Sequence, residues 1–349
     1  MNKTKFTPIS SIGEFELINK ITTPAKINNK STKMGVGDDA AILEFDKKCQ
    51  QLISTDMLVE GVHFDCAYSP LKHVGYKAVV SSISDICAMN GQATHILISL
   101  AIPNKYSVEL ITSLYDGIHL ACKNYNLDLI GGDTTASPNE LIINVTILGT
   151  GDKKRVVCRS AANPTDLLIT TGNLGAAYLG LQILEREKMI FEKNNQSQPP
   201  LDEYAYILER QLKPEPRVDI ITWLKENNII PSSMIDISDG LGSEAIHLAT
   251  SSEVGIKIFE ERIPISEHTH KTAKELSVDP LLCALHGGED YELLFTLPIK
   301  YHKKVVGVSD IHIIGHVTAQ KNVVELIKES GESINLTKEG WDSFLKQQE

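Results

Sequence analysis

Aspartate recurs wherever this sequence could do chemistry. Three strand-like apolar runs each end in a small residue followed by Asp: QLISTD to Asp56, LDLIGGD to Asp133, and MIDISD with Asp236 and Asp239. A further pair, Asp38 and Asp39, sits in the glycine-rich turn MGVGDDAA. A carboxylate just beyond a strand end is held by rigid backbone yet still reaches a cleft. The small neighbours Ser54, Thr55, Gly131, Gly132 and Ser238 let a ligand approach the backbone closely. Asp85 is a fifth site, the only charged side chain between Lys77 and His95. Helical spacing sets Val79, Val80, Ile83 and Cys87 on one face and Asp85 on the other, beside Ala78, Ser81 and Ala88.

Any one of these aspartates is what an ordinary turn, cap or solvated helix face carries. As a set they read as one pool of carboxylates, which cannot stay ionised together without cations. Oxygen donors with no His or Cys cluster favour Mg²⁺ over Zn²⁺. Magnesium held by a few carboxylates completes its shell with water and substrate phosphates, so the pattern points to phosphate chemistry.

Competing motifs fall away. Gly35–Ala40 (GVGDDA) fits the loose G-x-G-x-x-A dinucleotide pattern. A strand-like AAILEF follows it where a helix should open, and two aspartates would repel a pyrophosphate. No P-loop, protein-kinase set or G-x-S-x-G elbow is present. His268 with His270, and His312 with His316, lack a third zinc ligand, and the second pair lies in an alternating, strand-like run. His63, in VEGVHFD, is one short loop beyond Asp56 and reads either as a turn histidine or as part of the site. In LHGGEDYELLF, Glu289 and Asp290 follow a Gly-Gly turn at the head of a strand, in a hairpin or a substrate-binding loop.

The elements that must position these residues alternate through the chain. Gln51–Ser54, Leu127–Ile130, Leu141–Gly149, Leu167–Thr170 and Met234–Ile237 are expected strands; Pro70–Asn90, Val108–Tyr125 and Leu174–Lys188 are expected helices. With 349 residues, 42% hydrophobic and 23% charged, the chain suits two ordinary α/β domains. Gly149–Pro164 breaks the apolar pattern and marks the boundary; Asn194–Pro200 (NNQSQPP) reads as a loop within the second domain. A net charge of −11 without a basic block argues against nucleic acid or an anionic membrane as partner. Six scattered cysteines, no apolar signal-peptide core and no long apolar run set the expectation of a cytoplasmic protein.

The motifs GVGDDAA, STDMLVEGVHF, SDICAMNG, IGGDTT, CRSAA, IDISDGL, HGGEDYEL and IGHVT, taken in order, resemble the thiamine-monophosphate kinase family. That family lies in the superfamily of aminoimidazole ribonucleotide synthetase and selenophosphate synthetase. The resemblance runs from Gly13–Ile18 to Gly340–Phe344. It implies Asp39, Asp56, Asp85, Asp133, Asp236 and Asp239 as magnesium ligands, with Ser54 and Thr55 adding backbone or hydroxyl oxygen. Tyr115, Gly132, Asp133, Arg159 and Ser238 match nucleotide-contacting positions; His63, Glu289 and Trp341 match the thiamine-phosphate contacts. Ser82 stands where an Asn is usual, and Gly242 and Glu244 replace a bulkier apolar residue and an Asp.

The implied reaction transfers the γ-phosphoryl of ATP to thiamine monophosphate, with several Mg²⁺ ions and no general base, because the acceptor oxygen is already ionised. The implied fold is two-domain α/β: a ferredoxin-like N-terminal domain with a mixed sheet over residues 1–155, binding ATP and Mg²⁺ and forming a homodimer, and an α/β C-terminal domain over 156–349 that completes the nucleotide and substrate site. Selenophosphate synthetase would want a reactive Cys near the N-terminus, and none precedes Cys49. A non-catalytic nucleotide sensor would keep the carboxylates but has no use for His63, Glu289 and Trp341. On this reading roughly nine of the acids, from Asp38 to Asp290, belong to a site that takes phosphates only together with magnesium.

Overall fold

The computed structural model describes residues 7–36, 41–194 and 201–337. The turn with Asp38 and Asp39, most of the Asn194–Pro200 segment, and Trp341 lie outside the described residues. The chain forms two compact units, one from the residues up to Ile86 together with Gly91–Lys153, the other from Cys87–Asn90 together with Lys154 onward. No helix among the described residues is long and apolar enough to cross a membrane.

The first unit holds α1 (Gly13–Thr22), β1 (Thr32–Met34), β2 (Ile42–Leu43), β3 (Cys49–Val59), α2 (Leu71–Ala88), β4 (Gln92–Pro103), α3 (Val108–Tyr125), β5 (Asp128–Ser137) and β6 (Ile142–Asp152). β1 and β2 pair with each other; the other four strands form a mixed sheet in the order β3-β6-β4-β5. β6 is antiparallel to both its neighbours, and β4 and β5 are parallel. Along the chain these elements run β-α-β-α-β-β, and the last strand, β6, lies between β3 and β4 in the mixed sheet.

α2 and α3 pack backbone to backbone. A Cβ on Gly75 would come within 2.0 Å of the Leu114 carbonyl, and one on Gly117 within 1.9 Å of the Lys72 carbonyl. Only glycine permits that approach. The sheet residues facing these helices (Ile143, Val145, Ile147, Ile96, Ile98) are buried, while Ile53 and Met57 on the other face are 66% and 56% exposed. Among the described residues the sheet is thus covered on one side and open on the other.

The second unit contains β7 (Leu167–Thr171), α4 (Ala176–Asn194), α5 (Ala205–Leu212), α6 (Val218–Glu226), β8 (Ser233–Ile237), α7 (Leu241–Ser252), β9 (Gly255–Phe259), α8 (Glu267–Leu276), α9 (Pro280–His286), β10 (Glu292–Leu297), α10 (His302–Val305), β11 (Ile311–Thr318), β12 (Val324–Ile327) and β13 (Ser333–Asn335). Its seven-stranded sheet runs β13-β12-β9-β11-β7-β10-β8, with β8 at an edge. Leu168, Ile235, Ile237, Leu241, Leu248, Ile256 and Leu294 are central to its core, which joins α7 to the sheet. The expected mixed α/β architecture in two units is therefore present.

Candidate active site

In the first unit, Asp56 and Asp85 are gripped by serines across the strand–helix contact. Ser82 on α2 donates to Asp56 Oδ2 at 2.5 Å, and Ser54 on β3 donates to Asp85 Oδ2 at 2.5 Å. The register explains the exchange. Residues two apart on a strand share a face, and residues three apart on a helix share one, so Ser54-x-Asp56 meets Ser82-x-x-Asp85 head to tail. Ser82 is fully buried. Asp85, which the sequence leaves on a charge-poor helix face, is therefore directed at the sheet.

The strands are longer than the apolar runs suggest, and that changes which carboxylates gather. β3 continues through Asp56 to Val59 by unbroken pairing with β6, and β5 continues through Asp133 to Ser137 beside β4. Neither aspartate lies beyond a strand end, as expected from the sequence; pairing overrides the weak strand propensity of Ser, Thr, Gly and Asp. Alternation then sorts the side chains. Asp133 pairs with Ser99, Ser99 with Asn144, and Asn144 with Met57, all on the open face. Asp56, one residue before Met57, faces the helices.

Thr55 also belongs to the open face, where its hydroxyl donates to the Val145 carbonyl at 3.2 Å and accepts from Asn144 Nδ2 at 3.1 Å. The second Nδ2 contact of Asn144 is to the Asp56 carbonyl at 3.0 Å. Gly132 lies against β4 so closely that a Cβ would meet the Ile98 carbonyl at 1.9 Å. Tyr115 is only 4% exposed within the α3 core, and burial pushes its phenol upward. His63 follows β3 in a turn where its Nδ1 accepts the Val59 N–H at 3.1 Å. That bond assigns the proton of the neutral ring to Nε2.

In the second unit, Asp236 is buried within β8, and Ser238 and Asp239 form the turn into α7. Glu244, in the first turn of α7, reaches back so that its Oε1 accepts the Asp239 N–H at 3.3 Å. Its other oxygen is buried without a hydrogen-bond partner among the described residues. Burial first, then the charges of Asp239 and Asp236, push Glu244 up to about 9. Glu244 is thus a buried carboxyl beside the buried Asp236 and the half-buried Asp239.

The segment Gly287–Tyr291 lies over this turn. It leads from α9 into β10, so it is not the hairpin that the Gly-Gly pair allowed. Glu289 N–H donates to the Ser238 carbonyl at 2.7 Å, and Tyr291 N–H to the Ile237 carbonyl at 2.9 Å. Gly288, Glu289 and Tyr291 all have positive φ, at 70°, 58° and 51°. Such a run of left-handed residues persists only when its surroundings hold it. Gln211 on α5 donates to Glu289 Oε2 at 2.8 Å, and Asp290 accepts the Gly175 N–H at 2.8 Å before α4. Arg210 donates to the Asp290 carbonyl at 3.2 Å and to Glu292 at 2.9 Å, and Arg217 bonds Glu292 at 3.1 Å.

Arg159 sits elsewhere in this unit. Its carbonyl accepts from Ser252 Oγ, which also accepts the Ala161 and Ala162 N–H groups at the last residue of α7. Ser238 and Asp239 precede the first residue of that 12-residue helix, so roughly 18 Å of helix separates them from the Arg159 backbone.

Carboxylates and hydroxyls, with no thiol or imidazole among them, form a donor set suited to Mg²⁺ rather than zinc. Among the described residues no three His, Cys, Asp or Glu side chains form a group that could hold a metal ion. Magnesium needs no such cage, since one or two carboxylates plus water and phosphate oxygens suffice. In the second unit the buried Glu244 Oε2 is an oxygen of this set that has no hydrogen-bond partner among the described residues.

Residues 37–150 match the family model described as AIR synthase related protein, N-terminal domain. The thiamine-monophosphate kinase of Bacillus subtilis is 34% identical over 336 residues, covering 95% of this chain and 99% of its own. A solved complex of AaThiL with AMPPCP and TMP is 31% identical, with a TM-score of 0.74, covering 95% of this chain and 97% of that one. The thiamine-monophosphate kinase structure from Stenotrophomonas maltophilia is 28% identical, with a TM-score of 0.78 over 92% of this chain and 98% of its own.

Proposed function

The chain belongs to the thiamine-monophosphate kinase family, and we propose that its aspartates serve a magnesium-dependent, in-line transfer from ATP to thiamine monophosphate. The enzyme phosphorylates thiamine monophosphate to thiamine diphosphate at the expense of ATP. The observation that carries the residue-level reading is the backbone bond from Glu289 to Ser238. It ties a loop suited to substrate recognition to the turn that bears Asp239.

The acceptor is a phosphate, whose second ionisation lies near 6, so its attacking oxygen needs no general base and none is assigned. The obstacle is the approach of two anions in line. Asp56, Asp85, Asp236 and Asp239, with Asp39, Asp133, Ser54 and Thr55, are the residues we assign to Mg²⁺. When bound, the metal supplies the positive charge that offsets repulsion between the donor and acceptor phosphates. Ser82 and Ser54 hold the Asp56 and Asp85 carboxylates in fixed directions before substrate arrives. Arg159, Tyr115, Gly132 and Ser238 are assigned to the nucleotide, and His63, Glu289 and Trp341 to thiamine monophosphate. Residues 1–155 and 156–349 act as the two domains, in the cytoplasm.

A homodimer through the open face of the first unit accounts for Asp133. That face presents Ile53 and Met57, which a monomer would leave in water. A second copy seated there would cover them and face Asp133, which the chain's own helices do not.

The deciding experiment is coupled ADP release from ATP, with and without Mg²⁺, comparing thiamine monophosphate, free thiamine and other phosphates. Release should require both Mg²⁺ and thiamine monophosphate. ADP formed with free thiamine but not its monophosphate would overturn the substrate. Near-normal turnover in Asp56→Asn, whose amide binds Mg²⁺ poorly, would overturn the site.

A further inference from the structure

We infer that Gln211 is a positioning residue that aims the Glu289 carboxylate at the thiamine part of the substrate. The inference rests on the assignment of Glu289 to that substrate, and it concerns a residue that no motif singles out.

The geometry restricts Glu289 from two sides. Its backbone is fixed by the left-handed conformation at Gly288, Glu289 and Tyr291, and by its N–H on the Ser238 carbonyl. Its side chain retains torsional freedom, and the Gln211 amide takes that freedom away by holding Oε2 at 2.8 Å. An ionised carboxylate only accepts hydrogen bonds, so the NH₂ end of the amide must be the end that faces it.

The cost of this arrangement is informative. Gln211 is 5% exposed, and its Oε1 has no hydrogen-bond partner among the described residues. A buried, unpaired carbonyl destabilises the fold. Leu or Met would fill the same space beneath Gly180, whose missing Cβ would fall 2.6 Å from Gln211 Cβ, without that cost. Packing therefore does not account for an amide here, whereas the bond to Glu289 does. Neighbouring Arg210 grips the Asp290 carbonyl and Glu292, so the last turn of α5 sets both the loop backbone and the carboxylate. The ligand chemistry that a fixed carboxylate favours is a cationic or N–H-donating heteroaromatic ring, as in thiamine.

The test uses the full-length enzyme with ATP, Mg²⁺ and thiamine monophosphate. Gln211→Leu keeps the bulk and removes the donor. Its KM for thiamine monophosphate should rise about tenfold, the scale of one lost hydrogen bond to a charged group. The KM for ATP should stay within about twofold and the melting temperature should not fall, a split expected of lost uniform binding of one substrate. Glu289→Gln should raise the same KM, and adding Gln211→Leu to it should raise it no further. If Gln211→Leu leaves that KM unchanged while Glu289→Gln raises it, the role of Gln211 is overturned and the substrate assignment of Glu289 stands. If Glu289→Gln has no effect on KM, the assignment of Glu289 itself is overturned. Equal losses for both substrates with a lower melting temperature would show a merely structural amide. Gln211→Met answers the same question should the leucine variant fold poorly.

Discussion

Ser82 Oγ lies 2.5 Å from Asp56 Oδ2 and has almost no exposure to solvent. A residue that departs from the family pattern therefore holds one of the carboxylates assigned to Mg²⁺. Ser82→Ala should cost about 1 kcal/mol, the usual net value of such a bond, seen as a drop of roughly 2–4 °C in melting temperature. The larger effect should be on metal use: the Mg²⁺ concentration for half-maximal ADP release should rise several-fold, because Asp56 must then be ordered on binding. A Mg²⁺ titration that superimposes on wild type would confine Ser82 to packing.

The open face of the β3-β6-β4-β5 sheet should be where two copies meet. Ile53 and Met57 are exposed in the single chain, so replacing both by Glu leaves the fold of each unit intact while placing charge in the proposed interface. Light scattering should give the mass of one chain for the double variant and twice that for wild type. A wild-type mass of one chain would remove the dimer, and with it our account of Asp133.

Asp290 makes stability depend on pH in an unusual direction. Burial pushes its carboxyl up to about 7, against the opposing pull of Arg210 and the Gly175 N–H. The folded state then binds a proton that the unfolded state, near 3.8, has released. Stability from this group is present below about pH 4 and is lost as pH rises towards 7. Asp290→Asn keeps an acceptor for Gly175 and cannot ionise. Urea denaturation from pH 5 to 8 should show wild type falling relative to this variant up to about pH 7 and running parallel above it. A constant difference across the range would show that Asp290 is ionised throughout.

Gly288 should tolerate no side chain. Its φ is +70°, and a Cβ would sit 2.5 Å from the Ser238 carbonyl. Left-handed backbone alone costs an alanine roughly 1–2 kcal/mol. The clash adds to this by pushing Glu289 away from the turn that carries Asp239. Gly288→Ala should raise the KM for thiamine monophosphate more than it lowers the melting temperature. Gly61, equally left-handed at φ +81° but with open space around its Cβ position, supplies the control, since Gly61→Ala carries only the backbone strain.

The candidate residues were legible because their chemistry is carried by residue type. Aspartates behind small residues are visible wherever the chain places them, and the oxygen-only character of the set follows without coordinates. The Glu289–Asp290 turn was likewise marked by its two glycines. Strand ends were not legible. β3 and β5 extend through Ser54–Asp56 and Gly131–Asp133 because neighbouring strands supply hydrogen bonds that local propensity cannot foresee. Ser82 stood out only as a departure from the family pattern and Gln211 not at all, since their partners lie 26 and 78 residues away.

The sequence by itself determined which functional groups the protein owns: a surplus of carboxylates, the glycines that let backbone approach closely, and the α/β alternation that carries them. Only the tertiary structure decided which of those groups face one another. It turned Asp56 towards α2 and Asp133 away from it, buried Tyr115, set Arg159 at the far end of α7, and closed Gln211 on Glu289. The reason is physical. Residue type fixes charge and hydrogen-bonding capacity locally, whereas direction follows from strand register, where one residue of displacement reverses a side chain, and register is set by contacts between segments far apart in the chain.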